Sequence, residues 1–231
     1  MDKKINIVVA GHSTFSWELV NQLRTQTSGR LYFLLPDHDL AMEAGLWDNV
    51  VAVNGDMTDT TILDQLELGT CHTFVAGSRE EEANVLSALY AKNCEAKFAY
   101  ARVFDTKFMP LLGAVGVIPL QTSHTAAAFM AVSILEPAVA EFVSPTRGQF
   151  DLVEIHVSTF PEFIGCRLGN LQGEELHVIA VAQNNEIFLS YNTVIAPTAA
   201  LIIIYNRQIK KNFPQALRKV AAQAAQRVKG R

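Results

Sequence analysis

INIVVAGHSTFSWELVNQL, residues Ile5 to Leu23, decides how this chain folds. Ile5 to Ala10 is an apolar run long enough for a buried strand, Gly11 opens a turn, and Trp17 to Leu23 resume apolar residues at helical spacing. A strand, a tight glycine turn and a helix in that order are the first half of a nucleotide-binding βαβ unit. A dinucleotide loop asks for Gly-x-Gly-x-x-Gly, and in that frame the chain offers Gly11, Ser13 and Ser16. The first glycine serves the turn, the second lets a pyrophosphate approach the backbone, and the third lets helix and strand pack closely. Gly11 meets the first need and the small Ser16 half meets the third. Ser13 is expected to set a Cβ and a hydroxyl in the path of a phosphate.

Outward from this stretch the alternation continues. Leu31–Leu35 is a second strand, stopped by Pro36, and a helix from about Leu40 to Leu46 leads to a third strand at Val50–Val53, ending in Asn54-Gly55-Asp56. A helix is predicted over Thr58–Leu66 with Thr58 or Asp59 as its cap. Thr73–Ala76, Lys97–Val103 and Val115–Ile118 read as further strands, separated by helices at Glu80–Ala91 and Phe108–Gly113. A long helix over Ser123–Val143 closes the unit. Strands and helices alternating at this spacing predict an α/β fold with a doubly wound parallel sheet.

Ser144-Pro145-Thr146-Arg147-Gly148 reads as a linker, and the rhythm changes beyond it. Phe150–Val157 alternates as a half-buried strand does, Ile164–Leu171 suggests a short helix, and Val178–Ala182, Ile187–Leu189 and Leu201–Tyr205 are strands. Asn184-Asn185 signals a hairpin turn. The expected organisation is a Rossmann-like domain with its crossover helix over residues 1–143, a smaller α+β domain over 149–206, and a basic helical tail over 207–231.

Composition excludes several classes. No apolar run reaches the roughly 18 residues that span a bilayer, since Glu136, Pro137 and Glu141 interrupt Ala126–Val143. The start, Met1-Asp2-Lys3-Lys4 before a strand, lacks the layout of a signal peptide. Cys71, Cys94 and Cys166 are too few and too scattered for a disulfide framework or a zinc site. A cytoplasmic protein is expected. The net charge of −4 hides a contrast: eight basic residues and no acid lie between Arg207 and Arg231, against a body of about −12. The tail reads as a weakly amphipathic, solvated helix lying on the acidic body, with contact to anionic lipid or an acidic partner as the alternative.

The segments GDMTD (Gly55–Asp59), VAGSREEEAN (Val75–Asn84), YARVFD (Tyr100–Asp105) and LGAVGVIPLQ (Leu112–Gln121) follow the order and spacing of an amino-terminal RCK, or KTN, domain. FDLVEIHV (Phe150–Val157), PEFIGCRLGNL (Pro161–Leu171) and His177–Ile204 resemble the small carboxy-terminal RCK domain. The chain is thus identified, by resemblance over residues 5–206, as a member of the TrkA-type RCK/KTN family. The resemblance implies a cytosolic regulator of a membrane-embedded potassium channel or transporter. It implies a homodimer formed through the Rossmann-like domain and a higher ring, commonly an octamer, peripheral to the inner face of the membrane. It implies an adenine nucleotide (ATP, ADP, AMP or NAD(H)) at the amino-terminal domain, with cyclic di-AMP and divalent cations as other ligands known in the family. No nucleic-acid partner is expected.

Carried over residue by residue, the phosphate loop is Gly11, His12, Ser13, Thr14 and Ser16, where a helix amino terminus favours anions. ATP-gated members have an arginine where this chain has Thr14, and a charged His12 is the available substitute. Asp37, some 26 residues beyond Gly11, is the acid nearest to the ribose position, or else a turn aspartate after proline. Asp56 closes the third strand, where the family holds adenosine, or caps the next helix. Arg102 lies in an apolar strand and needs an anion or carbonyl partner, whether nucleotide, dimer contact or salt bridge. Ser78 and Asn84 are placed at the carboxyl edge of the sheet, bordering the same crevice.

The sequence offers no catalytic constellation and no metal-ligand spacing among His12, His38, His72, His124, His156 and His177. Glu80, Glu81 and Glu82 read as a solvated helix start, with a divalent cation at a dimer seam as the alternative. Three functions stand: a nucleotide-gated regulator of potassium transport, a degenerate RCK assembly protein that binds no nucleotide, or a Rossmann-type NAD-dependent enzyme.

Overall fold

The structure is a computed structural model that describes residues 5–143, 148–184 and 186–229. The chain divides into two compact units, one running to Ala127 and the other starting at Ala128. The segment expected as a linker falls, except for Gly148, outside the described residues.

In the first unit β1 (Ile7–Ala10), β2 (Leu31–Leu35), β3 (Val50–Asn54), β4 (Thr73–Ala76), β5 (Phe98–Arg102) and β6 (Ile118–Leu120) form one parallel sheet in the order β3-β2-β1-β4-β5-β6. Every residue of β1 and β2 is buried, which is why their sequences run apolar without alternation: both faces are covered. Val8 and Ala10 enter one core layer with Leu34, Phe74 and Ala88, while Ile7 and Val9 enter the other with Val20, Leu31 and Phe33. Between the strands run α1 (Thr14–Leu23), α2 (His38–Gly45), α3 (Thr60–Leu63), α4 (Glu81–Asn93) and α5 (Phe108–Ala114). The doubly wound sheet read from the sequence is the sheet observed. Its winding reverses between β1 and β4, so the loops after these two strands diverge and leave a crevice at their carboxyl ends.

Three local features differ from the sequence reading, each for a backbone reason. The helix expected over Thr58–Leu66 is a single turn, α3, followed by a 3-10 turn at Asp64–Leu66. Asp59 caps α3 by accepting the Thr61 N–H, while Thr58 is held instead by Asp56. The strand expected at Val115–Ile118 begins at Ile118. Gly116 at φ +74° ends α5, and Val117 N–H bonds back to the Leu112 carbonyl, so the helix terminus uses up those residues. The crossover helix is two helices, α6 (Thr122–Leu135) and α7 (Pro137–Val143), because Pro137 has no N–H and disfavours a helical residue before it.

In the second unit β7 (Phe150–His156), β8 (Leu176–Gln183), β9 (Glu186–Phe188) and β10 (Ala200–Asn206) make an antiparallel sheet in the order β7-β10-β8-β9. Gln183 faces Glu186 across the β8–β9 hairpin and Asn184 takes φ +55°, as an asparagine turn requires; Asn185 lies outside the described residues. The helix expected over Ile164–Leu171 is only a 3-10 turn at Leu168–Asn170, after a turn at Gly165 with φ +79°.

The basic tail is a true helix, α8 (Phe213–Lys229), but not an appendage. Leu217, Val220, Ala221 and Ala224 are buried in the core of the second unit with Phe163, Leu168, Leu171 and Leu201. The apolar face is therefore already spent on the protein's own sheet, while Arg218 and Lys219 are exposed. The sequence alternative, contact with anionic lipid or an acidic partner, would fall to those basic residues and not to the apolar face.

Candidate functional site

The crevice between β1 and β4 is a cleft of about 510 Å³. One wall is Gly11, His12, Pro36, Gly55, Asp56, Met57 and Thr58, and the other is Ser78, Arg79, Glu80 and Ala83. Gly11 sits at φ +94°, and a Cβ there would meet Ser78 Cβ at 2.5 Å and Ser78 N at 2.9 Å. The glycine is thus required twice, by its backbone and by the closeness of the β4 end.

Ser13 does something other than obstruct a phosphate. It is the cap of α1, 2% exposed, and its Oγ accepts the Ser16 N–H at 3.1 Å and donates to the Gly77 carbonyl. Ser16 Oγ donates to the same carbonyl at 2.9 Å. The pair of serines ties the β1–α1 turn to the end of β4, and the Ser13 hydroxyl points into the protein rather than into the cleft. The hydroxyl is thus not in the position expected for it, because the capping hydrogen bond turns it inward. Ser13→Gly is therefore expected to lower stability by about 1 kcal/mol, through the lost cap and the lost bond to Gly77. It should leave nucleotide affinity unchanged; denaturant unfolding and calorimetry on the same variant check both halves, and tighter binding would return Ser13 to the role of obstacle.

His12 and Thr14 are exposed at the helix start, with the His12 ring edge-on to Trp17 at 6.5 Å. Asp37 caps α2, its Oδ1 accepting from Asp39 N at 2.9 Å and Leu40 N at 3.2 Å, and it stands outside the cleft lining, where Pro36 is found instead. Asp56 does face the cleft, with Oδ1 accepting from both N and Oγ1 of Thr58 at 2.7 and 2.8 Å. Ser78 lines the opposite wall; its Oγ donates to the Glu80 carbonyl at 3.1 Å and accepts from Glu80 N at 2.9 Å.

Asn84 is not a rim residue. It is fully buried, its Oδ1 accepting from Ser78 N at 2.8 Å and its Nδ2 donating to the carbonyls of Ser78 and Arg102 at 3.1 and 2.9 Å. One side chain thus clamps the ends of β4 and β5. Arg102, half-buried, donates from Nε to Thr122 Oγ1 at 3.2 Å and lies over the rings of Phe15 and Phe104 at 5.7 and 4.9 Å. Among the described residues it has no carboxylate partner, so the salt bridge considered from the sequence does not form. Burial first, and the nearby Arg79 guanidinium second, hold its pKa below the usual arginine range.

Arg79, Met57 and Thr58 are cleft residues that the sequence reading did not single out. Arg79 had a signal: it is the first charged residue past the carboxyl end of β4, the strand that borders the reversal. Chemistry at a thiol finds no support, since burial pushes Cys71 up to about 11. With a maleimide at pH 7, half-exposed Cys94 is expected to react well before Cys71; equal rates would mean that the β4 region opens readily. Among the described residues no cluster of His, Cys, Asp and Glu is arranged to hold a metal ion, and no helix is long and apolar enough to cross a membrane.

The sequence pattern of the TrkA-N domain matches residues 7–120, the stretch that builds this sheet and cleft. The chain belongs to the TrkA-type RCK/KTN family. Over 150 residues it is 22% identical to a Trk system potassium uptake protein TrkA homolog of Methanothermobacter thermautotrophicus, covering 64% of this chain and 69% of that protein. To the Trk system potassium uptake protein TrkA of Haemophilus influenzae it is 25% identical over 169 residues, covering 70% of this chain but 36% of that one. Among solved structures, the human SLO3 gating ring superposes with a TM-score of 0.61 at 13% identity, over 91% of this RCK chain and 45% of the other. That likeness is one of fold, and it continues past residue 120 into the second unit. The resemblance drawn from four short motifs and the small domain is borne out.

Proposed function

We propose that this RCK chain is a cytosolic ligand-sensing regulatory subunit or domain, peripheral to the membrane, that gates a potassium channel or transporter. Its ligand is an adenine nucleotide held in the β1–β4 cleft. The observation that carries the reading is the coincidence of the TrkA-N match with an open crevice at the winding reversal, bordered by Gly11, His12, Asp56 and Ser78. In this reading the backbone of the α1 start, held by Ser13 and Ser16 and with Thr14 exposed, faces the phosphates, Asp56 faces the adenosine, and Asp37 lies one step beyond the lining. Arg102 acts from behind Ser78. Regulation needs only that the nucleotide bind two arrangements of the assembly unequally.

The assembly begins with a homodimer. α6 buries none of its own residues, and Met130, Ile134 and Leu135 are 54%, 71% and 78% exposed. A continuous apolar face of this kind is covered in a stable protein. Light scattering at micromolar concentration is expected to give a dimer or a larger ring, and a monomer would refute the assembly. For the ligand, thermal unfolding with ATP, ADP, AMP, NAD, NADH and cyclic di-AMP is decisive, because a ligand stabilises the state it binds. Stabilisation by an adenine nucleotide supports the sensor. No shift with any of them would make the chain an assembly partner, and hydride transfer from NADH would restore the enzyme reading.

A further inference from the structure

The two walls of the cleft differ in charge. The β1 and β3 side offers backbone and Asp56, which is already engaged by Thr58; the β4 side offers Arg79 and Glu80. The phosphate loop itself supplies no permanent cation, having serine and threonine at Ser13 and Thr14. Arg79 is exposed, and among the described residues neither it nor Arg102 forms an ion pair with a carboxylate. The second arginine is fixed in place. Glu81 Oε1 accepts the N–H groups of Phe104 and Asp105 at 2.7 and 2.8 Å, which holds Phe104 over the Arg102 guanidinium. Two guanidiniums therefore flank Gly77-Ser78, Arg79 from the cleft and Arg102 from behind the Ser78 carbonyl, and the nearness of Arg79 disfavours the charge on Arg102. An anion between them relieves that repulsion. Glu80 and Asp56 oppose any anion that merely lingers in the cleft, so a ligand gains only by pairing a guanidinium directly.

We infer that Arg79 pairs the terminal phosphate of a nucleoside di- or triphosphate, and so selects it over the monophosphate and over NAD. The assignment rests on the nucleotide reading above and names the class of nucleotide. The α-phosphate lies at the Gly11–His12 turn, and the chain beyond it crosses to the β4 wall, where Arg79 meets it. A dinucleotide has no terminal phosphate to offer there, and a monophosphate stops at the turn. Arg102 is a positioning residue: it raises the local potential behind Ser78 while its own donors serve Thr122 and Ser78.

Calorimetric titration of the full chain with AMP, ADP, ATP and NAD, repeated on Arg79→Ala and Arg79→Lys, tests this. The expected result is ADP and ATP binding roughly tenfold or more tighter than AMP. Arg79→Ala should bring ADP and ATP to the AMP value while AMP itself changes less than about twofold, and Arg79→Lys should keep part of the preference. Since the side chain is exposed, the unliganded variants should melt with the parent. An ADP to AMP ratio that survives Arg79→Ala overturns the assignment alone and leaves the nucleotide reading standing. So does a parallel loss of AMP affinity. A parent chain that binds none of the four nucleotides overturns both.

Discussion

Gly11→Ala is expected to cost the first unit about 3 kcal/mol or more in denaturant unfolding. Two costs add. An L-residue at φ +94° is strained by about 1–3 kcal/mol, and forcing an atom into a filled space costs a similar amount. The new Cβ would stand 2.5 Å from Ser78 Cβ, 2.8 Å from Met57 Sδ and 2.9 Å from Ser78 N. Met57 is flexible and moves; a backbone nitrogen at the end of β4 does not, so the β1 and β4 ends must part. The same parting widens the crevice, and nucleotide affinity should fall with stability. A loss below about 1 kcal/mol would show that these ends are not held together as described.

Asn84→Ala is expected to cost about 3 kcal/mol, though no atom of Asn84 reaches the surface. The substitution strands the Ser78 N–H and takes a donor from the carbonyls of Ser78 and Arg102. A buried polar group left unpaired costs about 1–3 kcal/mol. Asn84→Asp separates hydrogen bonding from simple loss of volume. A carboxylate there would still accept from Ser78 N, but it would face the two carbonyls with no proton to give. Its pKa would be raised by burial and by those oxygens, so the neutral form is favoured in the folded state. The damage should therefore be greatest at neutral pH and shrink as the pH falls through that raised value. Equal losses for Asn84→Asp at pH 5 and pH 8 would count against the clamp.

Much of the fold was legible because parallel strands buried on both faces must be apolar throughout, and Ile7–Ala10, Leu31–Leu35 and Thr73–Ala76 are read at once as such strands. The helix of the basic tail was legible as a helix but not as core. Its buried residues are small, Ala221 and Ala224 beside Leu217 and Val220, and small residues give a weak apolar stripe whatever they pack against. At the cleft, Gly11 was legible because its chemistry is backbone and local. Ser13 and Asn84 were not, since their meaning lies in partners 64 and 18 residues away that only the sheet order brings together. Ser13 looked like a damaged glycine. In three dimensions it is a tie between the first turn of the chain and the fourth strand.

The place of α8 in the core has a consequence for how the polypeptide is made. The first unit's sheet is complete once Leu120 has been synthesised, so it is free to fold while translation continues. The second unit has no such freedom. Its four strands are finished at Asn206, yet the groove lined by Phe163, Leu168 and Leu171 stays bare until Leu217 and Ala224 arrive. Until then a nascent chain carries an open apolar sheet face, and any product that stops short of those residues keeps it. Chaperone capture and proteolysis should therefore concentrate on that unit and on that interval of synthesis, whereas the cleft between β1 and β4 is already built.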